Sequence, residues 1–124
     1  MCVLLVEDEY LIRMVLIDVM IDAGFEVIEA ANAESALALA ETTPCPDVIV
    51  SDINLGPGMD GFALAATLRC RWPAVPVLMM SGRGTNFAGR QSDKAERFLL
   101  KPFLLDAFVQ HVIDLVGKPK AVSW

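Results

Sequence analysis

Four short apolar runs, each ending in a residue that can handle phosphate or a metal, constrain the fold of this chain most. Val3-Leu4-Leu5-Val6 runs into Glu7-Asp8, and Val48-Ile49-Val50-Ser51 into Asp52. Val77-Leu78-Met79-Met80 runs into Ser81, and Phe98-Leu99-Leu100 into Lys101. Runs of this length, rich in β-branched residues, predict buried strands. Between them lie stretches with helical spacing. Ile12, Val15, Leu16, Val19, Met20 and Ala23 make one apolar stripe, stopped by Gly24. Phe25 to Ile28 predicts a further short strand. Asn32 can cap a helix through Ala33 to Ala40, with Glu34 favourable in its first turn, and Pro44 and Pro46 end the segment.

The remaining elements follow the same alternation. Strands are expected over Asp47 to Ser51, Val75 to Met80 and Arg97 to Leu100. The glycines and proline between Asp52 and Gly61 predict a loop. Phe62 to Arg71 suits a helix that Pro73 stops, and Phe87 to Glu96 suits a short, weakly amphipathic one. Leu105, Phe108, Val109, Val112, Ile113 and Val116 form a strong last stripe, with Asp106 as its expected cap and Gly117 as its stop. A β-α order repeated five times predicts an α/β fold, a doubly wound parallel sheet with right-handed crossovers and helices on both faces. In such a sheet ligands bind beyond the carboxyl ends of the strands. Glu7, Asp8, Asp52, Ser81 and Lys101 should therefore share one crevice.

Bulk properties narrow the function. At 124 residues the chain fits one domain with a sizeable core. Its 55% hydrophobic content and mean hydropathy of +0.50 suit a sheet covered on both faces. No apolar run approaches the roughly 18 residues of a membrane span, and Met1 to Val6 is too short for a signal peptide. A cytoplasmic location is expected. Cys2, Cys45 and Cys70 are widely spaced and read as reduced thiols rather than a zinc site. A net charge of −6 argues against nucleic-acid binding through a basic face.

The crevice residues suggest phosphoryl chemistry. Glu7-Asp8 alone could be a solvated strand end capping the next helix. With Asp52 it becomes three acids in a small volume, which raises a pKa or demands a cation. Oxygen ligands alone suit Mg²⁺. Asp52 is a candidate nucleophile, since carboxylates can form aspartyl phosphates, and such transfer needs mainly positioning and charge neutralisation. Lys101 could supply positive charge, and the Ser81 hydroxyl could bond phosphoryl oxygens.

Taken in order, Glu7-Asp8, Asp52, Ser81 and Lys101-Pro102 resemble the receiver domain of two-component response regulators, over about residues 3 to 116. The resemblance implies a three-layer, flavodoxin-like (βα)5 fold with strand order 2-1-3-4-5. It implies that Asp52 is the phosphoacceptor, that Glu7, Asp8, Asp52 and the Asn54 backbone carbonyl hold Mg²⁺, and that Ser81 and Phe98 form a switch. It also implies a cis peptide between Lys101 and Pro102, which an X-Pro bond permits. Two stretches depart from the family. Leu55-Gly56-Pro57-Gly58-Met59-Asp60-Gly61 is one residue longer than usual, and Thr85 to Ala95 matches the usual fourth helix poorly. Arg83 stands at the position that resembles the family's rate-tuning site.

The expected function is that of a receiver domain over residues 1–118, followed by a loose tail at 119–124. It would take a phosphoryl group from a phosphohistidine on a histidine kinase or histidine phosphotransfer protein, as a switch rather than an enzyme. Phosphorylation would alter a face formed by the fourth helix, fifth strand and last helix, where a downstream protein partner binds. No effector is expected after Trp124, so output through a partner, or a role as a relay or phosphate sink, is expected unless the chain is part of a larger protein. The domain is expected as a monomer or weak homodimer, without nucleic-acid or membrane partners. Two alternatives use the same residues: a phosphorylation-deficient receiver acting as a constitutive interaction module, and a haloacid-dehalogenase-type phosphatase. The second needs an acid two residues after its nucleophile, where Asn54 stands.

Overall fold

The computed structural model describes residues 1–83 and 96–117. Within them the chain runs β1 (Cys2–Val6), α1 (Tyr10–Asp22), β2 (Glu26–Ala30), α2 (Ala33–Thr42) and β3 (Val48–Asp52). It continues through α3 (Gly61–Arg71), β4 (Val77–Ser81), β5 (Glu96–Leu100) and α4 (Leu105–Val116). All strand pairs are parallel, in the order β2-β1-β3-β4-β5. The helix expected over Phe87 to Glu96 falls almost entirely outside the described residues, apart from Glu96, which opens β5. The tail expected at 119–124 also lies outside them.

The sheet separates two cores because side chains alternate along a strand. Leu4, Val6, Ile49, Val77 and Met79 face α2 and α3, packing on Ala36, Ala40, Leu64 and Leu68. Val3, Leu5, Val48, Val50, Leu78 and Met80 face α1 and α4, packing on Leu16, Met20, Phe108 and Val112. Burial on both faces accounts for the continuous apolar runs. No helix among the described residues is long and apolar enough to cross a membrane.

Helix ends follow the expected chemistry with one exception. Asn32 caps α2, its Oδ1 accepting from Ser35 N at 2.7 Å. Gly117 leaves α4 at φ +83°, a conformation that favours glycine. Asp106, however, is not the cap of α4. Leu104 holds that position, and Asp106 lies in the first turn, where its charge still suits the helix dipole. The buried side of α1 also differs from the expected stripe. Ile17 is buried and Val15 is 46% exposed. Leu11, Val15 and Ile21 leave α1 apolar on nearly every side, so spacing alone does not select its packed face.

Candidate functional site

Parallel register builds the site. Val6 pairs with Ser51, so the following residues, Glu7 and Asp52, stand side by side past the ladder. Ser81 pairs with Leu100, and the Lys101 amide donates to the Ser81 carbonyl at 2.7 Å. Side-chain alternation then sorts the residues. Glu7 continues the row of Val3 and Leu5, Asp52 that of Val48 and Val50, and Lys101 that of Leu99, all on the α1–α4 side. Ser81 continues the row of Val77 and Met79 on the opposite side, the side on which Phe98 packs.

Glu7 and Asp8 would diverge if the strand continued. The chain turns instead, and oxygens of Glu7, Asp8 and Asp52 come within 4.8 Å of one another. Glu7 is fully buried, Asp52 is 8% exposed and Asp8 faces solvent. Lys101 Nζ donates to Asp52 Oδ2 at 2.7 Å and to Glu7 Oε2 at 3.1 Å. Asp52 Oδ1 accepts from Asn54 N at 3.1 Å, and Glu7 Oε1 from Glu9 N at 3.3 Å.

These contacts set the protonation balance. Burial, reinforced by the charge of Asp52, pushes the Glu7 carboxyl up to about 7 despite Lys101. Burial pulls the Lys101 ammonium down. Its hydrogen bond to Asp52 and the charges of Glu7 and Asp52 outweigh that, so its pKa ends above the ordinary lysine value. Three oxygen donors, one of them open to solvent, fit a hard divalent cation that keeps several waters. A buried acid that resists ionisation beside two others is the electrostatic mark of a place where added positive charge is welcome.

Ser81 is buried, and its Oγ accepts from Arg83 N at 3.0 Å and donates to Arg83 O at 3.2 Å. Phe98 is half-buried and meets the Phe62 ring edge-on, with centroids 6.4 Å apart. The Lys101–Pro102 peptide is cis. The loop after Asp52 buries Ile53 and Leu55 and turns through Gly56 and Gly58, both at positive φ. With the start of α2 it encloses a cavity of about 570 Å³ that Asp8 also lines.

Two contributors escaped the sequence reading. Gly61 packs beneath the Asp52 backbone: a Cβ there would lie 2.9 Å from Ile53 Cα and closer still to the Asp52 carbonyl. It was legible only as one more loop glycine. Arg13 donates from Nη1 to the Glu7 carbonyl at 2.8 Å. Its one signal was a cation inside an apolar helical stretch.

A model of the response regulator receiver domain family matches residues 3–113. The chain belongs to this family. This receiver domain is 35% identical over 117 residues to the response regulator protein FleR of Pseudomonas aeruginosa, covering 90% of the chain and 24% of that protein. It is 38% identical over 108 residues to the KDP operon transcriptional regulatory protein KdpE of Escherichia coli, covering 82% of the chain and 44% of that protein. The chain thus spans about a quarter of the length of the first curated relatives it matches. Among solved structures, the receiver domain from the hybrid histidine kinase CckA superposes with a TM-score of 0.77 at 32% identity, covering 93% of this chain and 99% of that one. The chemotaxis response regulator CheY4 of Vibrio cholerae superposes with a TM-score of 0.76 at 29% identity, covering 92% and 97%. Receiver domains generally bind Mg²⁺, act with histidine kinases and are not enzymes in the ordinary sense. The acidic pocket of this receiver domain suits a phosphoacceptor aspartate beside a metal.

Proposed function

We propose that Asp52 is the phosphoacceptor of this receiver domain, and that Glu7, Asp8, Asp52 and the Asn54 backbone carbonyl hold Mg²⁺. The observation that carries the reading is the Lys101 ammonium bridging Asp52 and Glu7. It puts a fixed positive charge beside Asp52, the one acid of the three in the crevice that is buried yet keeps a slim opening to solvent. An oxygen of Asp52 attacks the phosphorus of a phosphohistidine on a kinase or phosphotransfer protein. The phosphorus–nitrogen bond breaks as the new oxygen–phosphorus bond forms, and the departing imidazole takes up a proton. Mg²⁺ held by these residues would supply charge neutralisation for the transferring phosphoryl group. Lys101 supplies positive charge of its own beside Asp52. Ser81 is positioned at the end of the next strand to bond a phosphoryl oxygen once its hydroxyl leaves the Arg83 backbone.

The downstream consequence is a switch. Added charge draws Ser81 inward, and Phe98, on the same side of the sheet, shifts its packing against Phe62. The changed surface centres on β5 and α4 and serves a protein partner. The donor protein must cover the crevice mouth. An apolar groove of about 630 Å³, walled by Leu11, Val15 and Leu105, reaches that mouth at Gly82 and Lys101 and suits the donor. We assign the domain to residues 1–118 and to the cytoplasm, as a monomer or weak homodimer without nucleic-acid or membrane partners.

The reshaped Leu55–Gly61 loop, which shares a cavity with Asp8, favours one alternative: a receiver that keeps the fold but does not accept phosphate. Incubation with Mg²⁺ and acetyl phosphate decides between them. The reading expects one added phosphoryl group by intact mass, absent from Asp52→Ala. No adduct on the wild type, or an adduct that survives Asp52→Ala, overturns it.

A further inference from the structure

We infer that Arg13 is a positioning residue that holds the Glu7–Asp8 turn in its metal-binding shape, an inference that rests on the Mg²⁺ reading of the crevice. Among the described residues no hydrogen bond or ion pair holds the Asp8 carboxylate, so its place depends on the backbone that carries it. That backbone sits where β1 ends and α1 begins, at a helix start with weak local support. Glu9 is the N-cap of α1, makes no side-chain cap bond, and no acidic residue follows in the first turn. Arg13 supplies the missing restraint from one turn inside α1. Its side chain runs back toward the helix start, as helical geometry favours. Nη1 donates to the Glu7 carbonyl at 2.8 Å.

The guanidinium is itself fixed. Nε donates to Glu29 Oε1 at 3.2 Å, and the group lies over the Tyr10 ring, 5.5 Å from its centroid. Its side chain is 11% exposed. Glu29 belongs to β2, whose Ala30 carbonyl accepts the Glu7 amide at 3.1 Å. Glu7 is thus held at its amide by β2, at its carbonyl by Arg13 and at its carboxylate by Lys101. The orientation of the Glu7–Asp8 peptide sets where the Asp8 carboxylate lies, and Arg13 holds that peptide from its carbonyl side. Partners that orient metal ligands commonly govern affinity about as strongly as this arrangement suggests.

The sign of the effect separates positioning from plain electrostatics. Removing a cation near the crevice should strengthen Mg²⁺ binding if Arg13 acts only through its charge. Removing a positioning residue should weaken it. The test is calorimetric Mg²⁺ titration of the full chain at pH 8, comparing wild type with Arg13→Met, which keeps the apolar stem. We expect the dissociation constant to rise about tenfold. Phosphorylation by acetyl phosphate should recover toward the wild-type rate at saturating Mg²⁺, with the half-saturating concentration shifted by the same factor. General destabilisation would not produce that split. Should Arg13→Met fail to fold, Arg13→Lys keeps the charge but loses the two-point hold, and a several-fold weaker affinity is expected. Unchanged or tighter Mg²⁺ binding in the folded variant overturns the inference alone. A wild type that binds no Mg²⁺ overturns the metal reading and this inference with it.

Discussion

Lys101 Nζ lies 2.7 Å from Asp52 Oδ2, joining the carboxyl ends of two strands that are not neighbours in the sheet. The contact spans β4, which lies between β3 and β5. It forms because Lys101 and Asp52 project to the same side of the sheet while Ser81, between them, projects to the other. The same ammonium reaches Glu7 at 3.1 Å, so one cation serves two buried acids.

Removing that cation should therefore affect both chemistry and folding. Lys101→Met leaves Glu7 and Asp52 mutually repelling in a buried site. Breaking a buried ion pair typically costs a few kcal/mol, here reduced because Lys101 is 20% exposed, so we expect about 1–3 kcal/mol. Urea unfolding in EDTA checks this, and added Mg²⁺ should recover part of the loss. Phosphorylation from acetyl phosphate should slow by at least about tenfold, in line with the loss of a charge that acts on the transferring group. A variant that phosphorylates at the wild-type rate would remove Lys101 from the mechanism.

The raised Glu7 pKa makes a signed prediction. The folded value is about 7 against an ordinary 4.5, so the native state binds the extra proton between these limits. Stability from this group is fully present below about pH 4.5 and is lost as pH rises through about 7. In EDTA, Glu7→Gln should flatten that decline and be more stable than wild type at pH 8, by about 1–3 kcal/mol. Denaturant midpoints from pH 5 to pH 8 test this, and a wild-type curve that rises through this range because of Glu7 would contradict it. Mg²⁺ requires the ionised carboxylate, so wild-type Mg²⁺ affinity should climb between about pH 6 and pH 8.

Gly61→Ala should couple a stability loss to a site defect. The added methyl meets the backbone of Asp52 and Ile53 rather than a flexible side chain, so the backbone must shift. Overpacking of this kind costs roughly 1–3 kcal/mol. Because the shifted atoms carry Asp52, the proposed phosphoacceptor, phosphorylation should slow beyond what the fraction unfolded explains. Parallel thermal melts and acetyl phosphate kinetics separate the two, and a normal rate in the folded variant would confine Gly61 to packing.

Asn32→Ala provides the contrasting case. It removes the Oδ1 bond to Ser35 N that caps α2, at a cost of about 1 kcal/mol. The cap lies outside the ring of Glu7, Asp52 and Lys101 contacts. Chemical denaturation should show the loss, while phosphorylation at saturating Mg²⁺ stays unchanged.

Much of this site was legible in the chain. Apolar runs rich in β-branched residues located the strands because buried parallel strands tolerate little else. Their polar endings marked the crevice because a parallel sheet puts every carboxyl end on one edge. Asn32 was readable as a cap because an isolated amide before an apolar helix has few other uses. Asp106 was misplaced because several polar or extended residues can begin a helix, and the path from β5 into α4 set the start at Leu104. The packed face of α1 was misjudged at Val15 and Ile17 because that helix is apolar almost all round.

The sequence by itself determined the alternation of elements, the two-faced burial of the sheet and the identity of the polar groups at the strand ends. Each of these follows from local periodicity and residue chemistry. Only the tertiary structure decided which groups meet. Strand register put Glu7 beside Asp52, side-chain alternation sent Lys101 and Ser81 to opposite sides of the sheet, and close approach of α3 required glycine at position 61. Arg13 shows the same limit. Its spacing from Glu7 was plain, but its contact with that carbonyl depends on β2 delivering Glu29 to hold the guanidinium in place. Such contacts join separate elements, and no periodicity along one strand or helix encodes them.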